Sequence, residues 1–135
     1  MLTPAQINQR IATMFPGTMG LEVTEIAADR IVGRMTVTPA LCTAGQTLHG
    51  GAFMAFADTL GAIATLANMP PDARTTTIES KTNFLGAAPV GTMVVGETTP
   101  FHKGRTTQVW QTQIRSEAGK LLAVVTQTQM VIPAK

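Results

Sequence analysis

A chain of 135 residues has the size of one ordinary domain, large enough to bury roughly two thirds of its unfolded surface without disulfides or metal staples. Charged residues are only 13% of it and apolar ones 44%, a surface so lean in charge that part of it is expected to be covered by a second subunit. The net charge of +2 comes from scattered Lys and Arg with no basic run, and aromatics are 4%, which argues against a nucleic-acid platform and leaves a small or acidic ligand open.

At the N-terminus, MLTPAQINQR lacks a basic segment followed by an apolar core, so no secretion signal is read there and the cytoplasm is the expected compartment. Thr3 can cap a short helix with Pro4 at its first position. Ile7, Ile11 and Met14 recur at helical spacing until Pro16 and Gly17 stop it. Two strands are predicted next, over 19–28 and 30–39, turning at Asp29 and Arg30; the second places Ile31, Met35 and Val37 on one face and Arg34, Thr36 and Thr38 on the other. A loop over 39–48 contains the single cysteine, Cys42, which cannot form an internal disulfide. The apolar, alanine-rich segment 49–68 is predicted to be the only long helix, and it is too short for a membrane span. Four strand-like runs rich in Thr, Val and Gln follow, over 74–86, 91–102, 105–116 and 120–132, joined by Gly-containing turns. The pattern is an α+β chain in one domain, 1–135, with a curved antiparallel sheet wrapped around one long helix.

The long helix carries one charge. Within LHGGAFMAFADTLG (48–61), Asp58 has as helical neighbours Gly51, Met54, Ala55, Gly61, Ala62 and Thr65, none of them charged, so it does not mark a solvated stripe. A carboxylate in an apolar setting must be compensated or used. It is therefore either a structural acid bonded to Thr hydroxyls of the sheet or a reactive group in a cleft. His49-Gly50-Gly51 opens the same helix, where free backbone N–H groups and the positive dipole end suit a developing oxyanion. Gly50 and Asp58 lie eight residues, roughly 12 Å, apart along one helix, too far to address one carbonyl group. If they act together, Gly50 of one subunit must face Asp58 of another across a symmetric dimer.

LHGGAFMAFADTLG, with TTIESKTNFLGAAPVG (76–91) and HKGRTT (102–107), resembles the hotdog-fold acyl-CoA thioesterases, in particular the phenylacetyl-CoA thioesterase-like branch. The resemblance implies a hotdog fold, hydrolysis of an acyl-CoA thioester to the acid and CoA, a homodimer or homotetramer, and no cofactor beyond the CoA of the substrate. It implies that the Gly50 N–H polarises the thioester carbonyl and that the partner's Asp58 is nucleophile or general base. His49 would lie near the sulfur or shape the site, and Thr77 would assist in positioning water. Where many relatives carry Asn or Gln, this chain has Thr43, with Gln46 nearby as the other candidate. Lys103, Gly104 and Arg105 match a CoA-contacting turn, with Lys81 as a further cation; Gly51 is a further substrate-binding candidate, and Phe53, Met54 and Phe56 could line the acyl pocket, although apolar helix residues are more often core.

Two rivals use the same fold. A hotdog dehydratase also pairs His with an acid, but in a His, Phe, Pro, Gly context unlike HisGlyGlyAla. A non-catalytic acyl-CoA-binding module would leave Asp58 superfluous. Cys42 with His49 forms no recognisable catalytic spacing. His49 and His102, the only histidines, lie in separate segments, so no metal site is expected.

Overall fold

The computed structural model describes residues 1–135. The first helix, α1 (Pro4–Ile11), begins with a reciprocal cap: Gln6 N donates to Thr3 Oγ1 at 3.2 Å, and Thr3 N donates to Gln6 Oε1 at 2.9 Å. Ile7 and Ile11 face the core as predicted, but the helix ends before Met14, which is exposed. Pro16 does not stop a helix; it sits in the first turn of a second short one, α2 (Phe15–Thr18), where its missing N–H is not needed. Gly20, at φ 80°, closes that turn, so the first strand begins later than the sequence suggests.

That strand, β1 (Glu22–Ala27), pairs with β2 (Arg30–Thr36) through a turn at Ala28 and Asp29. The segment read as a loop contains a 3-10 turn (Pro39–Leu41) and a two-rung ladder between β3 (Cys42–Thr43) and β4 (Thr47–Leu48), with Gly45 and Gln46 both at positive φ in its turn. The long helix α3 (Gly50–Leu66) follows, then β5 (Arg74–Phe84), β6 (Met93–Lys103), β7 (Thr107–Ser116) and β8 (Leu121–Ile132). Six strands form one antiparallel sheet in the order β1-β2-β6-β7-β8-β5, wrapped around α3: the hotdog fold expected from the sequence. No helix is long and apolar enough to cross a membrane.

Close approach of α3 to the sheet depends on two glycines. Gly33 of β2 and Gly96 of β6 are paired in register, and a Cβ at Gly96 would lie 2.7 Å from Leu60 Cδ1 and 2.9 Å from Phe56 Cε1. One at Gly33 would lie 2.9 Å from Leu60 Cδ2. The pair makes a bare floor on which the two largest α3 side chains of that layer rest. Further along the helix, fully buried Trp110 donates its indole N–H to Thr65 Oγ1 at 3.0 Å, and Thr65 donates to the Gly61 carbonyl at 2.9 Å. The single tryptophan is thereby tied to the helix backbone. On the outside, Arg30 bridges Glu97 and Glu25, whose hydrogen bonds, Glu97 first, raise its pKa; exposed pairs of this kind add little stability.

Gly96→Ala is expected to cost about 1–3 kcal/mol, because Leu60 and Phe56 must leave their rotamers or lift α3 from the sheet. Urea unfolding followed by Trp110 fluorescence at fixed protein concentration measures this, and an unchanged midpoint would show that the helix does not rest on that floor.

Candidate active site

At its N-terminus α3 accounts for all but one of its first N–H groups. His49 is the N-cap, and its Nδ1 accepts from Gly51 N at 2.7 Å, leaving Nε2 as the nitrogen able to donate outward. Ala52 N and Phe53 N both donate to the His49 carbonyl, at 2.9 and 3.2 Å. The Gly50 N–H, at the first helical position, has no partner in the chain. Phe84, at the end of β5, lies over it: a Cβ at Gly50 would come within 3.3 Å of that ring. A half-buried donor beside an aromatic ring, at the positive end of a helix, has the form an oxyanion site requires.

Asp58, half-buried two turns further on, points at β5. Thr77 Oγ1 donates to Asp58 Oδ1 at 2.5 Å. Ile78 is the extra residue of a bulge between Thr77 and Glu79. It carries the inward face of β5 from Thr75 and Thr77 to Ser80 and Thr82, whose hydroxyls are buried without a partner in the single chain.

Two site residues lay outside the sequence expectations. Gln127 and Gln129, on β8, alternate inward between Val125 and Val131, where a buried strand face calls for apolar side chains. Gln129 Nε2 donates to Thr77 Oγ1 at 2.6 Å, and its Oε1 accepts from Thr75 Oγ1 at 2.9 Å. Gln127 Nε2 lies 3.3 Å from the Asp58 carbonyl oxygen and 3.4 Å from Oδ1. Room for it exists because residue 61 is glycine: a Cβ there would sit 2.2 Å from the Gln127 Cδ. Two amides on one buried face were the signal available in the sequence.

The remaining candidates divide. Phe53 is core, 3% exposed and edge-on to Phe84 with ring centroids 6.1 Å apart, so it does not line an open pocket; Met54 is half-buried. A cavity of about 400 Å³ beside His49 and Gly51 is lined instead by Phe15, Met19, Leu41 and Ala55. Thr43 and Gln46 are exposed on the β3–β4 hairpin that leads into His49. Lys103 does not offer a free cation, since Asp29 across the neighbouring turn takes its ammonium group; Lys81 is tied to Asn83 at 2.8 Å. Arg105 has no partner, and Gly104 is packed under the His102 ring.

The cation-bearing turn lies at the other end of α3 from Gly50. Gln108, just beyond it, donates to the Asn68 carbonyl past the helix C-terminus, whereas Phe84 covers the N-terminus. A helix of 17 residues spans about 25 Å. One chain therefore does not gather Gly50, Asp58 and Arg105 around one thioester.

Residues 45–123 match the model of the family described as the thioesterase superfamily. The chain belongs to that superfamily and is a thioester hydrolase of the hotdog fold. A crystal structure of a thioesterase from Haemophilus influenzae superposes with a TM-score of 0.93 at 30% identity, covering 98% of this chain and 92% of that one. A 1,4-dihydroxy-2-naphthoyl-CoA hydrolase from Listeria monocytogenes is 28% identical over 107 residues, 79% of this chain and 86% of that protein. The E. coli PaaI protein from the phenylacetic acid degradation operon shares the fold, with a TM-score of 0.83 at 21% identity over 98% and 96% of the two chains.

Gly61→Ala is expected to displace the Gln127 amide and lower stability by about 1–3 kcal/mol, with the double variant Gly61→Ala, Gln127→Ala more stable than Gly61→Ala alone. Thermal unfolding of the three proteins measures it; a double variant no better than the single would show that the added methyl strains something else.

Proposed function

We propose that the protein hydrolyses acyl-CoA thioesters at a site shared by two copies of the chain, the Gly50 N–H of one facing Asp58 of the other. The observation that carries this reading is that Asp58, pinned by Thr77, stands beside an open sheet edge. β5 is an edge strand, eleven residues long and unpaired on its outer side, with Ile78 and Phe84 in it and Leu85 just beyond it exposed at 57%, 52% and 56%. β5 is largely polar, but a long unpaired edge that also exposes large apolar side chains is a surface that proteins otherwise shorten or cover. A second copy paired there antiparallel puts the two α3 helices side by side and in opposite directions, which brings each helix N-terminus toward the partner's Asp58.

Chemically, the thioester carbonyl oxygen takes the Gly50 N–H, and the carbonyl carbon faces the Asp58 Oδ2, which has no partner within the chain. The carboxylate either attacks that carbon, expelling CoA thiolate and leaving an acyl-aspartyl anhydride that water then cleaves to the acid and free Asp58, or removes a proton from water that attacks, forming the C–O bond of the acid as the C–S bond breaks and CoA leaves as thiolate. The cavity beside His49 and Gly51 receives an apolar acyl group of modest size. Arg105, the unpaired cation of its turn, contacts a CoA phosphate, and the Listeria relative's named acyl-CoA substrate supports that class.

Gly50→Pro tests the shared site. Proline at the first helical position deletes the N–H without breaking the helix, and His49, at φ −62° and ψ 140°, already has the conformation that precedes proline. Gly50→Pro and Asp58→Asn homodimers are each expected to lose roughly 10²-fold or more in turnover. Mixed one to one with subunit exchange verified, they should recover about a quarter of wild-type activity, since half the dimers then hold one intact site. No recovery would overturn the shared site.

A further inference from the structure

We propose that Gln129 is a positioning residue for the hydrolysis: it holds the Thr77 hydroxyl in the one orientation that donates to Asp58. The proposal rests on the reading of Asp58 as the reactive carboxylate. Its basis is the directed run of hydrogen bonds from Gln129 through Thr77 to Asp58, spanning β8, β5 and α3, with Thr75 beside the far end of the amide.

A threonine hydroxyl has one proton to give. Thr77 Oγ1 accepts from Gln129 Nε2 at 2.6 Å, so its own proton is committed to Asp58 Oδ1. If the Gln129 amide were turned over, its oxygen would take that proton, and Thr77 would face the carboxylate with a lone pair at 2.5 Å. An ionised Asp58 therefore selects the amide orientation in which the nitrogen meets Thr77. Thr75 Oγ1 is the second and weaker hold on the amide: it lies 2.9 Å from the amide oxygen and 3.0 Å from the Met130 carbonyl, and divides one proton between those two acceptors. Gln129 is 0% exposed and both ends of its amide are bonded, so water does not compete for either contact. Neighbouring Gln127, by contrast, leaves its Oε1 without a partner.

The consequence is functional as well as structural. With Oδ1 held by Thr77, the carboxylate keeps its Oδ2, which has no partner within the chain, for the reaction. A buried amide costs stability unless it is bonded, and apart from neighbouring Gln127 the same strand face is apolar, at Ala123, Val125 and Val131. Retaining glutamine there makes sense if the bond to Thr77 is what the position supplies.

The test is a set of variants assayed on acyl-CoA hydrolysis in the intact oligomer, each checked for wild-type assembly and Trp110 fluorescence. Gln129→Met keeps length and bulk but neither hydrogen bond. It is expected to lower kcat roughly tenfold to a hundredfold with KM changed less than about twofold, the range for losing a bond that orders a charged group. Gln129→Glu keeps the acceptor for Thr75 but replaces the donor with a second acceptor for the Thr77 proton, and should be at least as slow. Because Gln129 acts through Thr77, the double variant Gln129→Met, Thr77→Val should be no slower than Thr77→Val alone. Should Gln129→Met fail to fold, Thr75→Val loosens the amide from its far end and is expected to reduce kcat a few-fold, with Thr75→Ser restoring it. Wild-type kcat in folded Gln129→Met or Thr75→Val, or a double variant whose loss is the product of the two single losses, overturns the proposal. Full activity in Asp58→Asn would instead remove the reading on which it rests, so the two failures are distinguishable.

Discussion

The arrangement of the molecule turns on one hydrogen bond, from the Thr77 hydroxyl to the Asp58 carboxylate. An acid on an otherwise apolar helix is costly unless its oxygens are satisfied. Here the edge strand supplies the donor, a bulge at Ile78 sets which residues of that strand face the helix, and β8 supplies an amide that orients the donor. The inner face of the sheet carries its acid-binding polar groups along this line, with a separate buried pair, Thr98 and Thr112, bonded to each other. Elsewhere α3 lies on apolar side chains and on the bare pair Gly33 and Gly96. The same bond that compensates the charge also leaves one carboxylate oxygen free.

The second constraint is length. A rigid 17-residue helix keeps its N-terminal donor and its mid-helix acid apart, and the cation-bearing turn sits beyond its far end. No rearrangement of side chains closes such distances. What can close them is a second helix running the other way, and β5 offers the edge on which a second copy would add. Assembly and catalysis are thus proposed to have one structural origin, the unpaired outer side of β5 next to Thr77.

Much of this was legible in the sequence, and the parts that were not have physical reasons. The long helix, its HisGlyGly opening and Asp58 stand out because composition and spacing there are local properties. Strand positions in the second half agree to within about three residues, since Gly-bearing turns mark their ends. Pro16 misled because proline stops one helix and starts another by the same missing N–H. Gln127 and Gln129 were hidden because TQTQ alternates two polar residue types, and alternation alone does not say which parity faces the helix. Lys103 looked free because its partner, Asp29, is 74 residues away in the chain. Phe53, readable as pocket or core, became core only when Phe84 arrived from a distant strand.

The most direct measurement is release of free thiol from a panel of aryl and aliphatic acyl-CoA thioesters, with wild type and Asp58→Asn compared at equal oligomer concentration. The account predicts turnover of at least one member of the panel by the wild type and its near-complete loss in Asp58→Asn. Thiol release that is undiminished in the variant, or absent for every thioester in a correctly assembled wild type, would contradict it.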